Sequence, residues 1–142
     1  MNMDKSRVEK AVELFNRGYN CSQSLFVVYA DLLGLKKEDA LKLSVPFGGG
    51  IGGLGETCGA TIGMFMVSGL VNGTTSPDDQ EGKHRNYEKV QFLAGEFNKQ
   101  HGSLLCSTLR DEAAATATNP NEKPCSKYIR TCAELIEQHL LK

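Results

Sequence analysis

The segment from Leu43 to Pro77 makes up about a quarter of the 142-residue chain, yet Glu56 is its only charged residue. A helix without a polar face must be surrounded by protein. The helix predicted here, from about Glu56 to Val71, is therefore expected at the centre of the fold. Glycines interrupt its apolar residues, which leaves no continuous apolar run of about 18 residues, so we expect no membrane span.

Six of the eight residues at positions 48–55 are glycine, directly before this helix. Their order matches G-x-G-x-x-G, but Pro46 stands where a dinucleotide-binding fold needs a strand, so that fold is disfavoured. Two interpretations stay open. The glycines let the chain turn tightly and pack close to Cys58, or the loop amides bind an anion. In the second case the candidate cofactor-binding residues are Gly50, Gly52, Gly53 and Gly55.

The rest of the chain places apolar residues at helical spacing, and no stretch alternates as a strand does. Asn20 and Gln23 form a capping-box pattern, and Ser76 before Pro77 is typical of a helix start. We expect one all-α domain over residues 1–142, a compact bundle of about six to seven helices around the central helix. The other helices are predicted over residues 4–17, 21–33, 37–43, 76–101 and 124–141, with a short one after Ser103 and a linker over 112–123.

Charge and composition disfavour some classes of function. The net charge is -1, Trp is absent and aromatic residues make up 7%, which argues against nucleic-acid binding through bulk charge or base stacking. The N-terminus shows no signal-peptide pattern, so we expect a cytoplasmic protein. Thiols stay reduced there, and an odd number of cysteines then needs no disulfide partner. A homo-oligomer stays open.

Four of the five cysteines fall in the first turn of four different predicted helices: Cys21, Cys58, Cys106 and Cys125. Free amides and a positive partial charge at a helix start lower the pKa of a thiol and favour the thiolate. If these helix starts converge, they form an electropositive pocket lined by sulfur. Cys132 lies about two turns into the last helix and is expected in the core. For any one cysteine, a role as a small buried hydrophobe is the competing interpretation.

Glu56 stands two residues before Cys58. Two roles stay open for it: an acid in the first turn of the central helix, where it complements the helix dipole, and a proton acceptor for a neighbouring thiol. The histidines lie in polar surroundings, so we expect surface residues or charges that complement helix C-termini rather than ligands. They are His84, His101 and His139.

Residues 58–63 read Cys-Gly-Ala-Thr-Ile-Gly, a C-G-A-x-x-G motif that directly follows the glycine run. With Cys21, Cys106 and Cys125 as the other separated cysteines, nearly the whole chain resembles the C_GCAxxG_C_C family of redox-active proteins. Cys132 lies outside the family pattern. The resemblance implies a small helical redox protein and brings no substrate with it.

Three functions compete. In the first, a low-pKa cysteine, best represented by Cys58, attacks an electrophilic acceptor and a second cysteine resolves the mixed disulfide. The acceptor is then a redox partner or a small molecule. In the second, the four helix-start cysteines hold a metal ion or an iron–sulfur cluster. In the third, the chain is a structural or adaptor bundle with inert cysteines.

Overall fold

A computed structural model of the chain describes residues 5–141, so the predicted first helical residue, Asp4, lies outside it. Seven α-helices account for most of the described residues, and within residues 5–141 there is no β-strand. The predicted all-α fold is confirmed. None of the helices in this range is both long and apolar enough to cross a bilayer. They are α1 (Lys5–Asn16), α2 (Cys21–Ala30), α3 (Lys37–Ser44), α4 (Gly59–Asn72), α5 (Gln80–His101), α6 (Cys106–Thr116) and α7 (Ser126–His139).

Two helix starts differ from the prediction by three or more residues. The helix α5 begins at Gln80 because the Asp79 carboxylate, rather than Ser76, accepts the hydrogen bond from the amide of Gly82, at 2.9 Å. The helix α4 begins three residues after Glu56, because the chain just before it pairs with a distant segment described below.

The predicted linker over residues 112–123 is shorter than expected. The helix α6 continues to Thr116, so only the second part of the predicted linker is irregular. Alanine is the best helix former, and Ala113 is buried against the core, so both propensity and packing favour the longer helix.

The helices α2 and α4 pack against each other at the centre of the molecule. Gly63 permits the close approach, since a Cβ atom there would lie 3.3 Å from the Ser22 carbonyl oxygen of α2. The apolar glycine-containing helix is therefore central, as expected, but it is not fully enclosed, because Leu70 near its end is 39% exposed. Eight of the ten residues of α2 are buried, so α2 shares the central position.

The glycine run forms a left-handed loop between α3 and α4. Five consecutive residues, 49–53, have φ between 58° and 78°, a region that glycine enters without steric cost. Ile51 is the exception in this run, and a β-branched residue there is strained. The loop closes on itself, with the amides of Gly53, Gly55 and Glu56 donating to the carbonyls of Gly48, Gly49 and Gly50 at 3.0–3.1 Å.

Candidate functional site

Four of the five cysteines lie at the N-termini of four different helices. Cys21 and Cys106 are the first residues of α2 and α6, and Cys58 and Cys125 immediately precede α4 and α7. The predicted placement at helix starts is confirmed. Cys132 lies inside α7 with none of its surface exposed, so its predicted place in the core is confirmed as well. All five are free thiols.

A short antiparallel pairing ties the start of α4 to the start of α6. The amide of Cys58 donates to the carbonyl of Leu104 at 2.8 Å, and the amide of Cys106 donates to the carbonyl of Glu56. Thr57 and Leu105 form the bridge between these bonds. Side chains alternate along paired extended segments, so Cys58 and Cys106 lie on one face, as diagonal neighbours.

Two glycines make room for the cysteines. A Cβ atom at Gly59 would lie 2.6 Å from the Cys21 Sγ, so this sulfur lies directly against the residue that follows Cys58. A Cβ atom at Gly50 would lie 2.5 Å from the Cys106 Cβ. The glycine loop and the C-G-A-x-x-G motif therefore bring three cysteines to one place, on three different helices.

Electrostatic interactions relate Cys125 to Cys21 and Cys106. The charges of Cys21 and Cys106 raise the pKa of Cys58, and the same two charges raise the pKa of Cys125. Like charges act in this way only at short range. We call Cys21, Cys58, Cys106 and Cys125 the thiol cluster. Backbone contacts bring the first three together, and electrostatic interaction relates Cys125 to Cys21 and Cys106.

Burial dominates the thiol pKa values. It raises the pKa of Cys58, which is only 6% exposed, to about 12, although the amides of Thr61 and Ala60 lower it as expected at a helix start. Burial also raises the pKa of Cys106 and of Cys125. The expectation of a lowered pKa is wrong for these three cysteines. Loss of hydration disfavours the thiolate more strongly than the amides at the helix start favour it.

The glycine-loop amides are mostly used inside the loop. Those of Gly52, Gly53 and Gly55 donate to the backbone carbonyls of Pro46, Gly48 and Gly49. In this conformation these three candidate cofactor-binding residues have no amide proton left for an anion. The geometry instead favours the first interpretation, in which the glycines turn the chain and let it approach the thiol cluster.

Glu56 does not lie in the first turn of α4, so the predicted role as a helix-start acid is wrong. Its backbone carbonyl accepts the Cys106 amide, and its side chain is exposed. Its role as a proton acceptor for a thiol stays a prediction.

His101 is the last residue of α5, at a helix C-terminus as expected, but its ring is half-buried rather than on the surface. Its Nε2 lies 2.8 Å from the Thr131 hydroxyl, and its ring contacts Phe97 and Tyr128. Burial lowers its pKa, and the charge of Lys127 lowers it further. His84 faces Glu88 on the surface at 3.8 Å, as expected for a surface residue. The ring of His139 packs edge-on against Phe92, with 4.9 Å between the centroids.

Two residues near the thiol cluster had no predicted role there. The hydroxyl of Tyr128 donates to the Leu109 carbonyl at 2.7 Å, and the charges of Cys125 and Cys58 contribute to the rise of its pKa to about 12. Arg110 acts on Cys106 and Cys125, lowering the pKa of both against the effect of burial. The sequence could have indicated this role, because Arg110 follows Cys106 by four residues on one predicted helix and therefore lies on the same helix face.

The side chains of the thiol cluster do not form a ready-made metal site. Within residues 5–141, no group of three or more histidine, cysteine, aspartate or glutamate side chains is arranged to hold a metal ion. Four cysteines can ligate an iron–sulfur cluster only when their sulfurs surround one position. The metal-binding hypothesis therefore requires a rearrangement of these side chains.

Comparison with known proteins supports the family resemblance, although the motif in the family's name reads G-C-A-x-x-G where residues 58–63 read C-G-A-x-x-G. The family model described as "Putative redox-active protein (C_GCAxxG_C_C)" matches residues 19–139, which include the thiol cluster and the glycine loop. A relative from Archaeoglobus fulgidus, whose printed name is "Uncharacterized protein", is 27% identical over 135 residues, 89% of this chain and 87% of the relative. No solved structure matches the chain. The match over most of its length shows that the chain belongs to the C_GCAxxG_C_C family.

Proposed function

We propose that the protein is a cytoplasmic thiol–disulfide redox protein in which Cys58 forms an internal disulfide with another member of the thiol cluster. The observation that carries this proposal is the approach of Cys21 and Cys106 to the buried Cys58, through the close contact at Gly59 and the pairing of the starts of α4 and α6. The partners best placed for it are Cys21, which lies against Gly59, and Cys106, which shares a face with Cys58.

The electrostatics of the cluster favour a disulfide as its oxidised form. Each thiolate raises the pKa of its neighbours, and burial penalises the thiolate of Cys58 most, so a multiply charged cluster is unfavourable. A disulfide carries no charge, and burying it brings no such penalty. The uncharged disulfide therefore avoids both the repulsion and the desolvation cost that a pair of thiolates would meet here.

Exposure assigns the order of the steps. Cys21, Cys106 and Cys125 are partly exposed, whereas Cys58 is buried, so we expect one of the partly exposed thiolates to attack the acceptor first. If the acceptor is a disulfide, the attack forms a mixed disulfide and releases one acceptor thiolate. Cys58 then loses its proton and attacks the protein sulfur of the mixed disulfide, releasing the second acceptor thiolate. Two electrons pass to the acceptor, and two protein thiol protons are released.

Oxidation of the fully reduced protein by dithiodipyridine, a neutral disulfide, tests this scheme. We expect two pyridinethione molecules released for each internal disulfide, and mass mapping that places Cys58 in that disulfide. The Cys58→Ser variant should retain bound reagent as a mixed disulfide. The Cys132→Ser variant is the matched control, since it also removes a buried thiol but should oxidise as the wild type does.

Two results would overturn the proposal. One is a wild-type protein that accumulates only mixed disulfides with the reagent. The other is an internal disulfide that maps to cysteines other than Cys58 and forms equally fast in Cys58→Ser. Elemental analysis of the protein purified without oxygen belongs to the same experiment, because a metal bound by the four cysteines would protect all of them from the reagent.

A further inference from the structure

Arg110 is a cation at the edge of the thiol cluster. It follows Cys106 by four residues on α6, so the two side chains lie on the same face of that helix. Its guanidinium also lies beside the glycine loop, since a Cβ atom at Gly55 would be 4.0 Å from Arg110 Nη2. The side chain therefore stands where the loop, the start of α6 and Cys106 meet.

No carboxylate within residues 5–141 pairs with Arg110, whose side chain is exposed. Lys127, the other cation that acts on Cys125, is held differently. Its ammonium donates to the Thr116 hydroxyl at 3.1 Å and lies 5.4 Å from the centre of the Tyr128 ring. At this edge, Arg110 is the cation whose guanidinium N–H groups stay available to a ligand. In the described part of the chain, it is also the one cation that lowers the pKa of both Cys106 and Cys125.

Two exposed apolar residues flank this edge of the cluster, beside the polar residues Ser107 and Glu56. Leu105, directly before Cys106, is 42% exposed, and Leu54, directly before Gly55, is 74% exposed. Glu112, the acid two residues after Arg110, raises the pKa of Tyr128 and His101 and does not contribute to the pKa shift of Cys106 or Cys125. The edge of the cluster thus offers a guanidinium with apolar side chains beside it.

We propose that Arg110 binds an anionic group of the electrophilic acceptor, so that the preferred acceptors are small disulfides that carry a carboxylate beside an apolar body. This inference rests on the proposed function. A guanidinium matches a carboxylate through two parallel hydrogen bonds, and an acceptor bound in this way has its sulfurs near Cys106, on the same helix face as Arg110. Arg110 is a residue for substrate binding and specificity in this scheme, while the cysteines exchange the electrons.

Two aromatic disulfides of opposite character test the inference. Dithiobis(nitrobenzoate) carries two carboxylates, and dithiodipyridine carries none. We expect Arg110→Gln to lower the rate of oxidation by the dicarboxylate about tenfold more than the rate with the neutral reagent, as loss of one charge-assisted contact implies. The Arg110→Lys variant should retain part of the preference. Arg85→Gln, which removes an exposed arginine on α5, is the matched control and should change neither rate.

The ratio of the two rates separates binding from thiol activation. If Arg110 acted only by lowering the thiol pKa, Arg110→Gln would slow both reagents equally, and that result would overturn the inference. An unchanged rate with both reagents would overturn it too. Added salt should weaken the wild-type preference for the dicarboxylate, since it screens exposed charges. Failure of the wild type to form an internal disulfide with the neutral reagent is a separate outcome, which contradicts the proposed function itself.

Discussion

Gly59 follows Cys58 in the C-G-A-x-x-G motif, and its Cα faces both the Cys21 sulfur and the carbonyl oxygen of Phe47. A Cβ atom there would lie 2.6 Å from each. Gly59→Ala should therefore push the Cys21 thiol and the Phe47 carbonyl away, at a cost typical of overpacking, about 1–3 kcal/mol. The higher helix propensity of alanine offsets at most about 1 kcal/mol of this loss. Urea unfolding at equilibrium measures the difference.

Gly69→Ala in the same helix is the matched control. A Cβ atom at Gly69 meets nothing within 4 Å. Without overlap the gain in helix propensity remains, so we expect this variant to be more stable than the wild type by about 0.5–1 kcal/mol. Equal changes in both variants would show that the space beside Cys21 does not limit position 59.

Burial favours the neutral form of the His101 ring. The Thr131 hydroxyl donates to the Lys127 carbonyl at 3.0 Å, so the remaining contact is a hydrogen bond donated by His101 Nε2 to Thr131 Oγ1. Because burial lowers the pKa of His101 in the folded protein, the unfolded chain binds a proton first as the pH falls. The stability that the neutral ring contributes is present above the ordinary histidine pKa, about 6.5. It is lost as the pH falls from there through the lower folded pKa.

The His101→Gln variant tests this pH dependence. Glutamine can still donate to Thr131 but does not titrate. We expect the free energy of unfolding to fall less steeply for the variant than for the wild type between about pH 7.5 and pH 5.5. Urea unfolding at several pH values measures both slopes, and parallel slopes would contradict the role of His101.

At the scale of the element, the start of α2 depends on a capping box. The Asn20 side chain accepts from the Gln23 amide at 2.9 Å, and the Gln23 side chain accepts from the Asn20 amide at 3.2 Å. The side-chain amide of Asn20 also donates, through Nδ2, to the Val45 carbonyl at 3.0 Å, next to the glycine loop. One side chain thus holds both the first turn of α2, which begins with Cys21, and the approach to the loop.

Asn20→Ala should lower the free energy of unfolding by about 1–2 kcal/mol and speed the alkylation of Cys21. Asn20→Asp keeps the acceptor for the Gln23 amide and loses only the donor to Val45, so it should fall between the wild type and Asn20→Ala. Urea unfolding and mass-resolved alkylation measure the two effects. A Cys21 alkylation rate unchanged in Asn20→Ala would show that fraying of the first turn does not expose the thiol.

At the scale of the whole molecule, the first helix holds the last cysteine of the thiol cluster. The Asn16 side chain at the end of α1 donates to the Ser126 hydroxyl at 2.9 Å and accepts from the Lys123 amide at 2.7 Å. These bonds join residues more than 100 positions apart, on either side of Cys125. The position of Cys125 therefore depends on the packing of α1 against α7.

Asn16→Ala removes this connection. We expect a loss of stability of about 1–2 kcal/mol and faster alkylation of Cys125, with that of Cys21 unchanged. Asn119→Ala is the control, because its side chain accepts only the nearby Asn121 amide of the same loop. If both variants expose Cys125 equally, the loop itself and not the contact with α1 holds the thiol.

Local signals predicted those parts of the fold that neighbours in sequence determine. Asn20 and Gln23 correctly marked the start of α2, since a capping box needs only four consecutive residues. Glu56 did not mark the start of α4 as predicted, because that start depends on pairing with Leu104 and Cys106, about fifty positions away. The predicted lowering of the Cys58 pKa was wrong for the same reason. The helix amides that lower this pKa are local, whereas the burial that raises it depends on distant parts of the chain.

Local patterns are enough to predict an all-α protein with four cysteines at four helix starts, because caps, glycines and helical periodicity act within a few residues. The packing of distant parts of the chain brings the starts of α2, α4 and α6 together, places Gly50 and Gly59 against two of the cysteines, and raises the pKa of Cys58, Cys106 and Cys125 through burial. Distances and burial depend on helices that pack from distant parts of the chain, and loss of hydration is a property of that packing.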